Sequence, residues 1–153
     1  MNISGNTVLI TGGGTGIGLA LAEALLDQGN AVIVCGRRRA RLAAARARHP
    51  SLHTRVADLS RPSGREALVA WVLRRFPDLN VLVNNAGVQR VVDFRHGPRD
   101  LPLVDEELST NLAAPIHLSA MLVPHLRRRR EVALRAAASL YRKRDKLFDA
   151  IND

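Results

Sequence analysis

A cluster of glycines near the start of the chain separates two segments of different hydrophobic periodicity. Residues 7–10 are a short run of aliphatic and β-branched residues, which predicts a buried strand. From residue 16 to about residue 27 apolar residues recur at helical spacing, and Ile17, Leu21, Ala24 and Leu25 are predicted to form the buried side. A strand that enters a helix through glycines is typical of α/β proteins in which the helix start holds a phosphate.

The same alternation of short apolar runs and helical segments continues along the chain to residue 126. It predicts an α/β fold, a Rossmann-like doubly wound parallel sheet of about four strands with right-handed crossovers. No segment after residue 126 has the pattern of a strand. Predicted strands are residues 7–10, 31–35, 52–56 and 81–83, and predicted helices are residues 16–27, 40–48, about 62–76 and about 105–126.

The positive charge of the chain is concentrated at its end. The formal net charge is +9, and residues 127–153 contribute nine basic and four acidic residues to it. Aromatic residues make up 3% of the chain, which leaves few side chains to stack on bases, so a solvated helix face explains the charge better than nucleic-acid binding does. Because the alternating pattern ends at residue 126 and the excess of charge begins there, we predict one Rossmann-like domain over residues 1–126 and a basic helical tail, not a separate domain, over residues 127–153.

Composition also bears on the cellular setting. No apolar stretch approaches the length of a membrane span, and the first residues lack the pattern of a secretory signal. Cys35 is the one cysteine, so no disulfide can form within the chain, and no cysteine or histidine spacing resembles a metal site. These features predict a cytoplasmic protein without a metal.

The glycine cluster has the pattern Thr-Gly-x-x-x-Gly-x-Gly over residues 11–18. Gly12 permits a sharp turn out of the strand, Gly16 lets a pyrophosphate approach the backbone, and Gly18 lets the helix pack on the sheet. The helix start then offers N–H groups and a partial positive charge to an anion. The alternative is a tight strand–helix turn without a ligand, because a glycine-rich turn alone is a weak signal.

The end of the second predicted strand indicates which dinucleotide is bound. Gly36 occupies the place where an acidic residue would bind a ribose 2′-hydroxyl, and arginines follow it at residues 37–39. This favours a 2′-phosphate and hence NADP over NAD. The arginines could instead only decorate a helix start, but the helix dipole disfavours cations there, so an anion nearby is the better explanation.

Three further motifs follow the glycine cluster: Asp58-Leu59 after the third strand, Asn84-Asn85-Ala86-Gly87 after the fourth, and Asn111 in the long helix. With these motifs in this order, residues 5–126 resemble the short-chain dehydrogenase/reductase family. The resemblance implies hydride transfer between a nicotinamide dinucleotide and a small carbonyl or alcohol substrate, pairing of two copies through the long helix, and Asn111 as the active-site asparagine. The predicted cofactor-binding residues are Thr11, Gly12, Gly14, Thr15, Gly16, Ile17, Gly18, Arg37, Arg38, Asp58, Leu59, Asn85, Ala86 and Gly87.

The remainder of the family's catalytic pattern is not found in this sequence. The family has a Tyr-x-x-x-Lys pair and a substrate-binding serine on a further strand, whereas the one tyrosine here, Tyr141, is followed four residues later by Asp145. Ser139 lies at about the family's interval, but in an alanine- and leucine-rich segment that predicts a helix. We therefore expect a truncated oxidoreductase that is weakly active or inactive, with an exposed edge on the fourth strand. The alternative is a nucleotide-binding or interaction module that assembles through the long helix and the basic tail.

Overall fold

The computed structural model describes residues 3–128 and 133–135 of the 153-residue chain. Its strands form one parallel sheet in the spatial order β3-β2-β1-β4-β5. Ile10 of the first strand lies in register with Val34 on one side and with Val83 on the other. The strands are β1 (Thr7–Thr11), β2 (Ala31–Gly36), β3 (His53–Val56), β4 (Val81–Val83) and β5 (Ala133–Arg135).

Helices connect the strands, and the last of them are joined into one long helical segment. A π-helical turn, Ser109–Ala113, links the final two helices, and two 3₁₀ turns, Phe94–His96 and Pro98–Asp100, precede them. In the part of the chain that the structure describes, no helix has both the length and the apolar character to cross a membrane. The helices are α1 (Gly16–Asp27), α2 (Arg39–Arg48), α3 (Pro62–Arg75), α4 (Leu101–Leu108) and α5 (Ala114–Arg128).

Alternate residues of the central strand pack into two separate cores. Leu9 lies in a cluster with residues of α3 and α5, such as Leu68 and Leu122. Val8 and Ile10 lie in the other cluster, with residues of α1 and α2. Because successive side chains of a strand point to opposite faces, this division places helices on both faces of the sheet. The predicted doubly wound Rossmann-like fold is confirmed.

The buried side of α1 differs from the prediction at Ile17 and Ala24. The buried residues of α1 are Gly18, Leu19 and Ala22, whereas Ile17 is 64% exposed and Ala24 is exposed as well. Nearly every residue of α1 is apolar, so periodicity alone allows several overlapping buried faces. The structure selects the face that contains Gly18, because the absence of a side chain there lets the helix approach the glycine turn closely.

The expectation that no strand follows residue 126 is wrong at β5. Residues 133–135 pair with β4 in parallel, and Leu82 lies opposite Leu134. Alanine-rich sequence favours a helix, but this preference is weak, and the free N–H and C=O groups along β4 offer a ladder that overrides it. The predicted exposed edge of β4 is thereby covered. Helix α5 extends to Arg128, so the predicted tail begins as helix.

Several predictions concern residues that the structure does not describe. Ser139, Tyr141 and Asp145 lie outside the described residues, as do all other residues after 135. The domain boundary between residues 126 and 127 and the helical character of residues 136–153 stay predictions.

Candidate functional site

The glycine turn is a point where three backbone segments meet with almost no space between them. A Cβ atom on Gly12 would lie 2.8 Å from the Cα atom of Ala86. One on Gly18 would lie 2.7 Å from the carbonyl oxygen of Gly12 and would overlap the Asn85 side chain. Gly12 also has a φ of 69°, in the left-handed region that favours glycine. Both glycines are therefore required by packing at the carboxyl end of β1.

The first turn of α1 is open to an anion. Thr15 precedes the helix in an extended conformation, and its hydroxyl does not cap the helix. The first turn has no acidic residue, and apart from its own chain neighbours and helix backbone, no heavy atom of the described residues lies within 4 Å of a Cβ atom built on Gly16. The first N–H groups of a helix have no partner inside it and carry partial positive charge. The turn thus fits the pyrophosphate of a dinucleotide.

The carboxyl ends of β1 and β4 are joined by a set of hydrogen bonds around Thr11. Its hydroxyl oxygen accepts hydrogen bonds from the backbone N–H groups of Asn85 and Ala86, both at 3.0 Å. The Asn85 side chain donates in return to the Thr11 carbonyl oxygen at 2.9 Å. These bonds fix Asn85, Ala86 and the following Gly87 beside the glycine turn, and the role of these residues in lining a cofactor stays a prediction.

Asn111 lies in the π-helical turn and binds the loop after β4 with its side chain. Its Oδ1 accepts a hydrogen bond from the Val88 N–H at 2.8 Å, and its Nδ2 donates to the Val88 carbonyl oxygen at 2.6 Å. The Gly87 Cα lies close enough that an added Cβ would be 3.5 Å from Asn111 Oδ1. π-helical turns occur frequently at functional sites. The amide side chain positions this loop, since both of its ends are occupied by Val88.

Asp58 and Leu59 follow β3 at the same edge of the sheet. The Asp58 Oδ1 accepts hydrogen bonds from the N–H and the hydroxyl of Ser60, at 3.1 and 2.7 Å. Leu59 is 5% exposed. The backbone of Asp58 rests directly against Gly64, where any Cβ would overlap the Asp58 carbonyl oxygen. Asp58 is therefore held rigidly, and its contact with adenine stays a prediction.

The two predicted arginines lie after β2, near the glycine turn. Arg38 Nη2 donates to the Thr15 hydroxyl oxygen at 3.1 Å. Arg37 forms an ion pair with Glu106 of α4. Arg90, in the loop after β4, donates to the same carboxylate through Nη2 at 2.6 Å. Hydrogen bonds from Arg90, and to a smaller extent from Arg37, lower the pKa of Glu106 below its usual value. The Glu106 side chain is therefore charged at neutral pH.

Two residues of this region were missed by sequence reasoning, Glu106 and Arg65. Arg65 is 3% exposed, and its Nη1 donates to the carbonyl oxygens of Leu59 at 2.9 Å and Ser109 at 3.3 Å. It thus connects the segment after β3 to the π-helical turn. Neither residue carries a motif signal, because charged residues on helices are most often solvated.

The structure brings the predicted cofactor residues to one end of the sheet, where the carboxyl ends of the parallel strands lie. In open α/β sheets ligands bind at this end, where the strand order changes direction, here between β1 and β4. Cys35 lies close by in sequence but is fully buried, and burial raises the pKa of its thiol to about 12. It is therefore no candidate nucleophile.

Comparison with known proteins supports the resemblance to the short-chain dehydrogenase/reductase family. A family model described as short chain dehydrogenase matches residues 6–138. The chain is 51% identical over 134 residues to the uncharacterized oxidoreductase DltE of Bacillus subtilis, an alignment that covers 88% of this chain and 53% of the relative. The chain therefore spans about half the length of that relative.

Solved structures share the fold. A short-chain dehydrogenase from Streptomyces avermitilis superposes with a TM-score of 0.75 at 29% identity, covering 86% of this chain and 48% of that one. The RhlG/NADP active-site complex from Pseudomonas aeruginosa gives a TM-score of 0.74 at 29% identity, covering 82% of this chain and 50% of that one. Since the family model matches most of the sequence and the glycine turn, the β4 segment and Asn111 lie together in the structure, the chain belongs to the short-chain dehydrogenase family.

Proposed function

We propose that this chain binds NADP in preference to NAD and serves an oxidoreductase reaction between NADP(H) and a small carbonyl or alcohol compound. The observation that carries the proposal is the start of α1, where the glycine turn is closely packed on one side and open above Gly16 on the other. The family binds nicotinamide dinucleotides, and a bound nicotinamide would supply or accept the hydride.

The chain's own residues would hold the dinucleotide in three ways. The backbone N–H groups at the start of α1 would bind the pyrophosphate. Asp58 would accept a hydrogen bond from the adenine amino group, and Asn85, Ala86 and Gly87 would line the cofactor beyond β4. Asn111 would keep that lining in place through its two hydrogen bonds to Val88.

The preference for NADP is supported by Arg37 and Arg38. Gly36 offers no carboxylate to a ribose 2′-hydroxyl, both arginines are exposed, and Arg38 contacts Thr15 at the glycine turn. A charge-assisted hydrogen bond from a guanidinium to phosphate contributes about 1.5–3 kcal/mol, which corresponds to roughly tenfold or more in affinity. An unphosphorylated ribose would gain much less from these arginines.

Calorimetric titration of the protein with NADPH and with NADH tests the proposal. We expect tighter binding of NADPH, and we expect Arg37→Ala to weaken NADPH binding roughly tenfold while NADH binding stays within about twofold. Arg48→Ala, which removes the same charge from the exposed last turn of α2, is the matched control and should change neither affinity. Equal binding of both dinucleotides by the wild-type protein would refute the preference for NADP.

We further propose that turnover by this chain alone is weak, because Asp145 stands where the family has the lysine that assists the tyrosine. A carboxylate beside Tyr141 would raise the tyrosine pKa, which opposes proton transfer. NADPH oxidation with a panel of carbonyl compounds measures this directly. Rapid turnover that is abolished by Tyr141→Phe would contradict it.

A second candidate function, assembly through the long helix, is favoured by an exposed apolar face. Leu108, Leu112 and Ile116 recur every four residues along the continuous helical segment and are 52%, 53% and 57% exposed. Residues at this spacing lie on one side of a helix, and exposed apolar patches mark interaction sites. We propose that a second copy of the chain covers this face, in keeping with the family's pairing.

Light scattering during size-exclusion chromatography tests the assembly. We expect a dimer for the wild-type protein and a monomer for Leu112→Asp. Ile3→Asp is the control, because Ile3 is 62% exposed but lies before β1, where its carbonyl oxygen is bound by Asn30. A wild-type monomer at high concentration would refute pairing through this face.

A further inference from the structure

Glu106 is bound by two arginines that belong to different parts of the fold. Its Oε1 pairs with Arg37 and its Oε2 accepts hydrogen bonds from Nε and Nη2 of Arg90, at 3.1 and 2.6 Å. The Glu106 side chain is 26% exposed, against 44% for Arg37. One carboxylate therefore neutralises the arginine that is proposed to recognise the 2′-phosphate.

This ion pair lies across the carboxyl ends of three neighbouring strands. Arg37 follows the carboxyl end of β2, Arg90 follows that of β4, and β1 lies between these two strands. The contacts through Glu106 thus join the two sides of the carboxyl end of β1, where the glycine turn begins. A dinucleotide bound at that turn would extend past this position with its adenosine end towards β2.

The Arg37–Glu106 pair is not what holds α4 to the loop after β4. Asn111 binds both backbone groups of Val88, and Glu107 accepts a hydrogen bond from the Arg90 N–H at 3.0 Å. These contacts are independent of Arg37. Within the described residues, Arg37 has Glu106 as its one ion-pair partner. The pair can therefore be broken at low structural cost.

We propose that Glu106 sets the selectivity between NADP and NAD by competing with the 2′-phosphate for Arg37. This inference rests on the proposed function, the binding of a dinucleotide at the glycine turn. To bind Arg37, the phosphate must displace the carboxylate or lie beside a like charge, and like-charge pairs at interfaces are costly. A ribose 2′-hydroxyl is neutral and meets no such competition, and a carboxylate can accept its hydrogen bond.

The 2′-position is accordingly recognised by two opposing charges, one from the end of β2 and one from α4. Arg37 favours the phosphorylated cofactor, and Glu106 reduces that preference. The acidic residue that the sequence lacks at Gly36 is replaced in space by a residue seventy positions later.

The test is the affinity for NADPH and NADH, measured separately by calorimetry on the full chain. Glu106→Gln keeps the size of the side chain and removes its charge. We expect it to tighten NADPH binding about tenfold, because a like charge beside the phosphate is removed, and to leave NADH binding equal or weaker. Glu107→Gln is the matched control, because the Glu107 carboxylate contacts Arg90 but not Arg37. This substitution should leave the ratio of the two affinities within about twofold of the wild-type ratio.

The outcomes separate the inference from the proposed function. If the wild-type protein binds neither dinucleotide, the proposed function fails and the inference fails with it. If both bind but Glu106→Gln leaves the ratio of affinities unchanged, the inference is wrong and the proposed function stands. Thermal unfolding checks that the variant is folded, and Glu106→Ala, which suits a helix well, should shift the ratio in the same direction if Glu106→Gln does not fold.

Discussion

The carboxyl ends of β1 and β2 lie side by side in the sheet but are built on different principles. After β1 the chain is packed backbone against backbone, so that Gly12 and Gly18 leave no room for a Cβ atom. After β2 the residues Arg37 and Arg38 are exposed, and their contacts are ionic or hydrogen-bonded to distant side chains. The first end is fixed by shape, whereas the second is set by charge.

This difference separates two tasks in binding a dinucleotide. The pyrophosphate is the same in NAD and NADP, so a rigid backbone turn suffices to bind it. The 2′-position differs between the two by a phosphate, and exposed charges can distinguish them without a change in the fold. Substitutions after β1 should therefore alter stability and binding of both cofactors, and substitutions after β2 should alter their ratio.

The largest expected effect is that of Gly18→Ala. The added Cβ would lie 2.7 Å from the Gly12 carbonyl oxygen, so the backbone must shift, at a cost in unfolding free energy of about 3 kcal/mol. Gly16→Ala is the matched control, because a Cβ there meets open space and only the φ of 57° is strained, which costs about 1 kcal/mol. Chemical denaturation measures both. Equal destabilisation by the two substitutions would show that the carboxyl end of β1 is not fixed by close packing.

An intermediate effect is expected for Thr11→Val. Valine has the same shape but cannot accept the hydrogen bonds from the Asn85 and Ala86 N–H groups, so the protein should lose about 2 kcal/mol of stability. Binding of NADPH and of NADH should weaken to the same extent, which titration would show. Thr11→Ser keeps the hydroxyl and should retain most of the stability. A change in the ratio of the two affinities would show that the β1 end also discriminates between the cofactors.

The smallest effect is expected from salt. The Arg37 side chain is 44% exposed, so its attraction for a 2′-phosphate should be screened by ions. Raising the ionic strength from about 0.05 to 0.5 M should weaken NADPH binding several-fold more than NADH binding, because a shorter Debye length screens the attraction between exposed charges more strongly. Arg37→Ala should reduce this difference. Identical salt dependence for the two dinucleotides would indicate that no exposed charge acts on the 2′-position.

Much of the fold could be predicted from the sequence because each element carries a local signal. The apolar runs of β1, β2 and β4 and the glycine that follows α1 are such signals, and the structure has these elements within one or two residues of the predicted bounds. The long helical segment begins at Leu101, four residues before its predicted start, and includes Pro102 in its first turn. Proline is accommodated in a first turn, where its missing N–H has no partner to lose.

The features that could not be predicted from the sequence depend on contacts between segments that are distant along the chain. Ile17 is exposed because the sheet selects among several apolar faces of α1, and β5 forms because β4 offers a free edge to a segment that favours a helix by composition. Arg65 and Glu106 carry no local signal at all. Their roles arise from partners 44 and 69 residues away along the chain.

The sequence by itself determined the parallel α/β fold and the glycine turn after β1, since hydrophobic periodicity and glycine positions act over a few residues. Only the tertiary structure decided which face of α1 is buried, which segment covers β4, and which carboxylate opposes Arg37. These outcomes depend on packing and on the distances between charges in the folded protein, which the spacing of residues along the chain does not indicate.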